Sequence, residues 1–337
     1  MKHRIQALRN HPVFWPALGL LLLLLFNLVY DPGFFRLGLR DGKLYGDMIS
    51  VMLQAAKIIP LAVGMTLVIA TGGVDLSVGS VMAIAGTLAA MLIAAGTTPL
   101  IVAIGAALLV AALIGAINGL LVSCLRIQPI VATLIFMVLG RGVAMLLTNG
   151  MGQPIEDPLL LFLGSGYVFG VPFAVVLVLL FTFLVSLFLN RTAVGLGISA
   201  VGDNPAASRL CGINQARLKV GIYAFCGFCS GLAGLIAAAR VESAEPARLG
   251  EFMELDAIFA VVVGGTALTG GRFSLAGSLV GAILIQTLVW TMQKLGVPSD
   301  VTPVPKAVVI ILVCLLQSER FRSQLSAPFK RKDLATA

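Results

Sequence analysis

The 337-residue chain is dominated by apolar side chains: 59% of its residues are hydrophobic and 11% are charged, with a mean hydropathy of +1.03. Because roughly a quarter of the residues of a soluble domain are charged, this composition excludes an ordinary soluble protein and predicts a polytopic membrane protein. The formal net charge of +8 comes from short basic flanks between apolar segments. It excludes nucleic acid as a partner, since no basic stripe with interleaved aromatic residues is present.

Apolar runs long enough to cross a bilayer follow one another along the chain. A transmembrane helix needs about 20 mostly apolar residues. Several runs are short or interrupted by Gly and Pro, so eight to ten spans with some re-entrant segments are compatible with the pattern. We predict an all-α fold with about ten transmembrane helices, at 13–30, 48–70, 78–96, 99–123, 129–148, 170–189, 219–239, 255–270, 274–293 and 303–318.

The charged residues orient these spans, because Lys and Arg gather on the cytoplasmic side of a membrane. With both termini inside, most basic residues lie in inner segments and most acidic residues lie in outer ones. The chain is therefore predicted to consist of a cytoplasmic tail at 1–12, a transmembrane domain at 13–318 and a second cytoplasmic tail at 319–337.

A Gly-rich turn between the second and third predicted spans carries one carboxylate, Asp75. The topology places it at the inner rim, where it can accept hydrogen bonds from the first amides of the helix that begins near Ser77. The alternative is the coupling carboxylate of an ion-driven secondary transporter, since an intramembrane charge costs at least ~2.5 kcal/mol. We interpret the turn as a structural latch at an inner gate, formed by Thr71, Gly72, Gly73, Asp75, Ser77 and Gly79.

A short internal similarity links this turn to a later one. TGGVDLSVGS at 71–80 and TGGRFSLAGS at 269–278 are identical at five of ten positions, and both fall at predicted inner turns. Transporter folds are often built from repeats, although segments so rich in Gly and Ser also match by chance.

The longest inner segment between spans, 190–220, predicts a short amphipathic helix at the membrane surface. Asn204 is a favoured N-cap with Pro205 at the first helical position, and Gly212 suits the C-terminal end. Such an Ala-rich helix either docks into a cleft of a partner protein or is an interfacial loop helix, and its spacing leaves both open. The candidate docking residues are Gly202, Asp203, Asn204, Ala206, Ala207, Arg209 and Gly212.

Three segments, in the same order, resemble the permeases of bacterial ABC sugar importers of the ribose, arabinose and galactose group. Shorter stretches, such as DGKLYGD and IQPIVATLIFMVLGRGVA, resemble the galactofuranose branch of that group most. The three segments are ATGGVDLSVGSVMAIAG at 70–86, AVGDNPAASRLCGI at 200–213, which is similar to the group's coupling-helix loop, and ELDAIFAVVVGGTALTGGRFSLAGSLVGA at 254–282, which is similar to its C-terminal signature.

The resemblance implies the permease subunit of an importer that moves a monosaccharide, galactofuranose or a related pentose or hexose, across the bacterial inner membrane. The chain lacks a G-x-x-x-x-G-K-[ST] motif, so ATP hydrolysis must come from a separate subunit, and the chain itself is neither an enzyme nor a cofactor-binding protein. No metal site is expected. The implied partners are a cytoplasmic ABC ATPase, a periplasmic sugar-binding protein, a second permease subunit, identical or related, and the lipid bilayer.

Polar side chains within the predicted spans are candidates for the sugar pathway, because uncharged sugars need hydrogen-bonding groups along an aqueous cavity. Each of them can instead satisfy a helix contact. Lys57 and Arg141 are the costly ones, and either can pair with Asp75. The acidic outer loop at 242–256 is a candidate docking face for the binding protein. Its acidic residues can also be explained by the topology alone, since outer segments collect acids. The pathway candidates are Gln54, Lys57, Thr66, Asn118, Arg141 and Gln286.

Overall fold

The computed structural model describes residues 13–298 and 301–317, which form a helical bundle with a few short strands. The helices are α1 (Phe14–Tyr30), α2 (Asp47–Ala70), α3 (Val78–Ala94), α4 (Leu100–Ser123), α5 (Pro129–Leu147), α6 (Pro158–Ser165), α7 (Phe173–Arg191), α8 (Ala193–Asp203), α9 (Pro205–Leu210), α10 (Gln215–Val241), α11 (Met253–Val263), α12 (Leu275–Lys294) and α13 (Pro303–Gln317), with a 3-10 helix at Pro32–Phe35. The strands are β1 (Gly38–Arg40), β2 (Lys43–Tyr45), β3 (Gln153–Pro154), β4 (Tyr167–Val168), β5 (Val171–Pro172) and β6 (Ser243–Ala244).

The helical class is confirmed, and a helix occupies each of the ten predicted segments. Among the described residues, six helices are long and apolar enough to cross a membrane: α2, α4, α5, α7, α10 and α12. That the chain crosses the membrane ten times, and that both of its termini are cytoplasmic, stay predictions. The predicted tails at 1–12 and 319–337 lie outside the described residues.

The predicted span at 255–270 is too long, because α11 ends at Val263. Gly265 has a φ of +87° and Gly270 a φ of +88°, values in the left-handed region that glycine adopts without a steric penalty. The backbone therefore leaves the helix soon after Val263 and forms an irregular turn before α12 begins.

The core is built around α10, which packs against α2, α3 and α4. The contact between α4 and α10 depends on two glycines. A β-carbon at Gly115 would overlap the carbonyl oxygen of Tyr223, and one at Gly227 would overlap that of Ala111. Small residues therefore allow the two backbones to touch, as is common where helices associate in lipid.

Short antiparallel ladders and long turns mark the two ends of the bundle. Within the described residues, β1 pairs with β2, β3 with β6 and β4 with β5; these ladders lie in segments predicted to be outer, except that β5 falls at the start of the predicted span 170–189. The turn at 71–77 and helices α8 and α9 lie in segments predicted to be inner, and the turn at 264–274 leads from the end of the predicted span 255–270 into the next inner segment. We call these the outer end and the inner end.

Candidate translocation and coupling sites

Two glycine-rich turns meet α8 at the inner end. The amide nitrogen of Gly271 donates a hydrogen bond to the carbonyl oxygen of Ala70 at 2.9 Å. A β-carbon at Gly202, in the last turn of α8, would overlap that carbonyl oxygen and the Gly271 nitrogen. The segment at 269–278 is therefore in backbone contact with the residue that directly precedes the similar segment at 71–80, with α8 against both. We call this contact the glycine junction.

Asp75 organises the turn that follows α2. One of its carboxylate oxygens accepts hydrogen bonds from the Ser77 amide at 2.9 Å and from the Ser77 hydroxyl at 2.6 Å. The predicted hydrogen bond to the start of the next helix is thus confirmed, since α3 begins at Val78. The Asn118 side chain donates to the Ser77 hydroxyl at 2.8 Å, which extends the network to α4.

Asp75 is buried more deeply than its predicted place at the inner rim implies. Only 1% of the residue is exposed. Burial raises the pKa of its carboxyl above the usual range, and the hydrogen bonds from Ser77 oppose that rise. The two ion pairs considered for it do not form: among the described residues, neither Lys57 nor Arg141 makes an ion pair with Asp75. The Ser77 contacts make the carboxylate part of the turn's structure.

Replacing Asp75 by Asn or by Leu separates a structural role from an ion-coupling role. We expect Asp75→Asn to keep most of the uptake, because a carbonyl oxygen still accepts from Ser77. Asp75→Leu leaves the Ser77 amide and hydroxyl unsatisfied, which costs about 1–3 kcal/mol per group, and should lower both the unfolding temperature and uptake. Thermal unfolding of the purified protein and ATP-driven uptake measure the two effects. Loss of uptake in a stable Asp75→Asn protein would instead identify a coupling carboxylate.

The segment at 190–220 contains two helices where one was predicted. The predicted caps of α9 are confirmed: the Asn204 side chain accepts a hydrogen bond from the Ala207 amide at 3.0 Å, and Gly212 has a φ of +81° just after the helix. Helix α8 was missed, although its residues Gly195, Ile198 and Val201 recur at helical spacing and are buried.

Most of α9 stands clear of the bundle. Ser208 is buried, whereas Ala206, Ala207, Arg209 and Leu210 are exposed. The apolar residues Ala206, Ala207 and Leu210 are exposed together with Arg209, so the described chain itself does not cover the apolar side of this helix. This short, capped helix is an accessible feature of the inner end.

A cavity of about 380 Å³ opens at the outer end between α2 and α10. Gln54 and Lys57 of α2 line it, together with residues that were not among the predicted pathway candidates. Those residues come from α3, from α10, from β6 and the loop after it, and from the first residue of α11. They are Met82, Ala237, Arg240, Val241, Ser243, Glu245, Arg248, Leu249, Gly250 and Met253.

The polar lining of this outer cavity is mainly cationic. Lys57, Arg240 and Arg248 face one carboxylate, Glu245, which lies 3.9 Å from Arg248 in an exposed pair. A mixed charge pattern in the sequence at 240–248 was the available signal for these residues, but it also fits an ordinary outer loop. The cavity offers several hydrogen-bond donors to a polar solute.

Arg141 shapes this cavity without lining it. From α5, its Nη1 donates to the carbonyl oxygen of Pro246 at 2.9 Å and to that of Leu249 at 2.6 Å. Both carbonyls belong to the loop at 245–252, which forms one wall of the cavity. Arg141 therefore fastens the loop to the bundle.

The remaining pathway candidates are buried. The Thr66 hydroxyl donates to the Ser278 hydroxyl at 2.7 Å and joins α2 to α12. Asn118 belongs to the Asp75 network, and Gln286 on α12 is 3% exposed. Their roles in transport stay predictions.

The acidic loop at 242–256 is only partly available as a docking face. Glu242, Glu245 and Glu251 are exposed, but Glu254 and Asp256 are 6% and 7% exposed. Asp256 forms an ion pair with Lys306 of α13 at 2.8 Å. The two buried acids therefore cannot belong to a docking surface, which corrects that expectation.

Comparison with known proteins identifies the family. The family model described as branched-chain amino acid transport system / permease component matches residues 48–316. The chain belongs to this permease family. The permease is 44% identical to the galactofuranose transporter permease protein YtfT of Escherichia coli, with 92% of each chain covered. It is 39% identical to the fructose import permease protein FruF of Bifidobacterium longum, over 97% of this chain and 93% of that protein.

A further relative is the ribose import permease protein RbsC of Escherichia coli, 39% identical over 90% of the permease and 92% of that protein. The resemblance to ABC sugar importer permeases is therefore confirmed. The permease is a transport component, not an enzyme. The ion-driven alternative based on Asp75 finds no support among these relatives. No solved structure matches the chain.

Proposed function

We propose that this permease forms the membrane pathway of an ATP-driven monosaccharide importer in the bacterial inner membrane. The observation that carries the proposal is the match to sugar import permeases over more than nine tenths of the chain. Galactofuranose is our first candidate for the sugar, since it is the substrate named for the relative with 44% identity. The proposed partners are a cytoplasmic ABC ATPase, a periplasmic sugar-binding protein and a second permease subunit.

The outer cavity is the proposed entry to the pathway. A sugar released by the binding protein meets the Gln54 amide, the Ser243 hydroxyl and the charged groups of Lys57 and Arg240. These groups hydrogen-bond to hydroxyls, and the apolar side chains of Met82 and Met253 contact the sugar ring. The loop held by Arg141 forms the adjacent wall.

The inner end is the proposed site of coupling to the ATPase. Helix α9 projects from the surface, and α8, which directly precedes it, is in backbone contact with the end of α2 and with the turn before α12. A backbone contact leaves no flexible side chain to absorb a displacement. A shift of α9 therefore moves the ends of α2 and of the turn before α12 together.

Ala207→Glu tests the docking role of α9. Glu at the third helical position after an Asn cap suits a helix, so the helix should persist while the added bulk and charge block docking. We expect ATP-driven uptake to fall by at least about tenfold, equivalent to 1.4 kcal/mol of lost coupling, with ATP hydrolysis continuing. Uptake and hydrolysis are measured in proteoliposomes that contain all subunits and sugar-loaded binding protein. Ala207→Ser controls for the loss of alanine, and normal uptake by the Glu variant would rule out docking through this face.

Omitting the ATPase tests the proposed function as a whole. Proteoliposomes with the permease and the binding protein, but without the ATPase subunit, should take up no sugar against a gradient. Restoring the ATPase and ATP should restore uptake. Uptake driven by a proton or sodium gradient alone would contradict the proposal.

A further inference from the structure

An apolar groove lies on the surface between α7 and α10, far from the outer cavity. Its volume is about 620 Å³, and its walls are almost entirely aliphatic and aromatic. Leu184 and Phe188 of α7, Leu218 and Phe225 of α10, and Ile198 of α8 line it. Arg217, at the start of α10, is its one charged lining residue among the described part of the chain.

The groove has a closed end and a charged end. Along α7 it extends from Phe181 to Leu189, and along α10 from Arg217 to Phe225. Each stretch covers two helical turns, about 12 Å. The rings of Phe181 and Phe225 lie 6.1 Å apart and stack, so they close the end opposite Arg217. A slot of this length accommodates part of a linear acyl chain, with the polar group of that chain at Arg217.

The guanidinium group of Arg217 is available to a ligand. Its side chain is exposed and makes no ion pair with any residue in the described ranges 13–298 and 301–317. No acidic residue lines the groove. A second exposed cation, Arg191, ends α7 two residues after Leu189. The charged end therefore favours an anion.

We propose that this groove binds one acyl chain of an anionic phospholipid, with the lipid phosphate at Arg217. Arg binds phosphate oxygens with two parallel hydrogen bonds, and basic pockets between transmembrane helices are typical sites for anionic lipid head groups. The groove lies between α7 and α10, two helices long and apolar enough to cross a membrane, and its one charged lining residue lies two residues from the start of α10. The wall formed by α8 places the lipid beside the helix that precedes α9.

Native mass spectrometry of the purified permease tests the site with defined lipids. The probes are phosphatidylglycerol and phosphatidylethanolamine with identical palmitoyl and oleoyl chains. We expect the permease to retain phosphatidylglycerol in preference to phosphatidylethanolamine. Arg217→Gln should lower retention of phosphatidylglycerol by about tenfold, the effect of losing charge-assisted hydrogen bonds to the phosphate. Arg126→Gln, which removes another exposed arginine without an ion pair in the described chain, should leave retention unchanged.

A second variant places a side chain in the groove. A β-carbon at Gly221 would meet no other atom within 4 Å, although this residue lines the groove. Gly221→Phe should therefore displace the acyl chain and reduce retention of phosphatidylglycerol to the level of phosphatidylethanolamine. Gly142→Phe on α5 is the matched control, because Gly142 has equally open surroundings outside the groove.

Three outcomes overturn the proposal. If the unmodified permease retains the two lipids equally, the charge of the head group has no role in binding. If Arg217→Gln and Gly221→Phe proteins with normal unfolding temperatures show unchanged retention, the groove is not the lipid site. Loss of a permease dimer in Gly221→Phe, with lipid retention unchanged, shows that a second permease subunit occupies the groove. If Gly221→Phe fails to fold, the Arg217→Gln comparison decides alone.

Discussion

Replacing Gly202 with alanine should abolish most ATP-driven uptake while leaving the permease in the membrane. The added methyl group would overlap the Ala70 carbonyl oxygen and the Gly271 amide nitrogen, both of which are backbone atoms and cannot rotate away. Forcing one methyl group into a packed contact costs about 1–3 kcal/mol. The glycine junction must open, which separates α8 from the end of α2. Because α8 directly precedes α9, the path from the proposed docking helix to the turns is broken.

Gly197→Ala on the same helix is the matched control. A β-carbon at Gly197 meets only the Leu218 side chain at 3.6 Å, an ordinary contact, and alanine favours a helix by up to ~1 kcal/mol over glycine. This variant should keep normal uptake and normal stability. Both variants are compared by measuring uptake and ATP hydrolysis in the fully assembled transporter. Equal uptake by Gly202→Ala and Gly197→Ala would show that the junction has no part in coupling.

Replacing Arg141 with alanine should release the loop at 245–252 and impair uptake severely. The variant loses two hydrogen bonds from a charged donor, each worth roughly 1.5–3 kcal/mol, and leaves the carbonyl oxygens of Pro246 and Leu249 without this partner. We expect uptake to fall by at least about tenfold, equivalent to 1.4 kcal/mol. The reason is that the loop, which forms one wall of the outer cavity, is no longer held in a single position.

Hydrogen exchange of the 245–252 segment measures this release directly. Faster exchange there, with unchanged exchange in α10, would show local opening of the loop and not a loss of the fold. Arg141→Lys keeps the positive charge but not the guanidinium geometry, so it should give an intermediate effect on both exchange and uptake. Protection of the loop equal to that of the unmodified permease would contradict the assigned role of Arg141.

The features that the sequence predicted correctly are local ones. Apolar run length identified a helix in each of the ten predicted segments, and the order Asn204-Pro205 with Gly212 located the ends of α9. The hydrogen bond between Asp75 and the residue that starts the next helix also joins near neighbours in the chain. Each of these depends on residues within one or two helical turns, so a local pattern contains the necessary information. Family membership was visible for the same reason, since it rests on contiguous motifs.

The features that the sequence missed depend on residues far apart in the chain. Arg141 was considered as a partner of Asp75, yet it binds the loop at 245–252. Gln54 and Lys57 were candidates together with Thr66, but only the first two face the outer cavity. A helical repeat shows which residues share a face, but it does not show which neighbouring helix that face meets.

The sequence alone thus determined a helical membrane permease and the capped helix α9, while its orientation and its ATPase contact stay predictions. Only the tertiary structure brought Ala70, Gly202 and Gly271 together at the glycine junction and aligned α7 with α10 around the groove that ends at Arg217. The physical reason is that helices form by local hydrogen bonds and apolar run length. Their neighbours are chosen by close packing, in which the absence of one methyl group at Gly202 decides a contact.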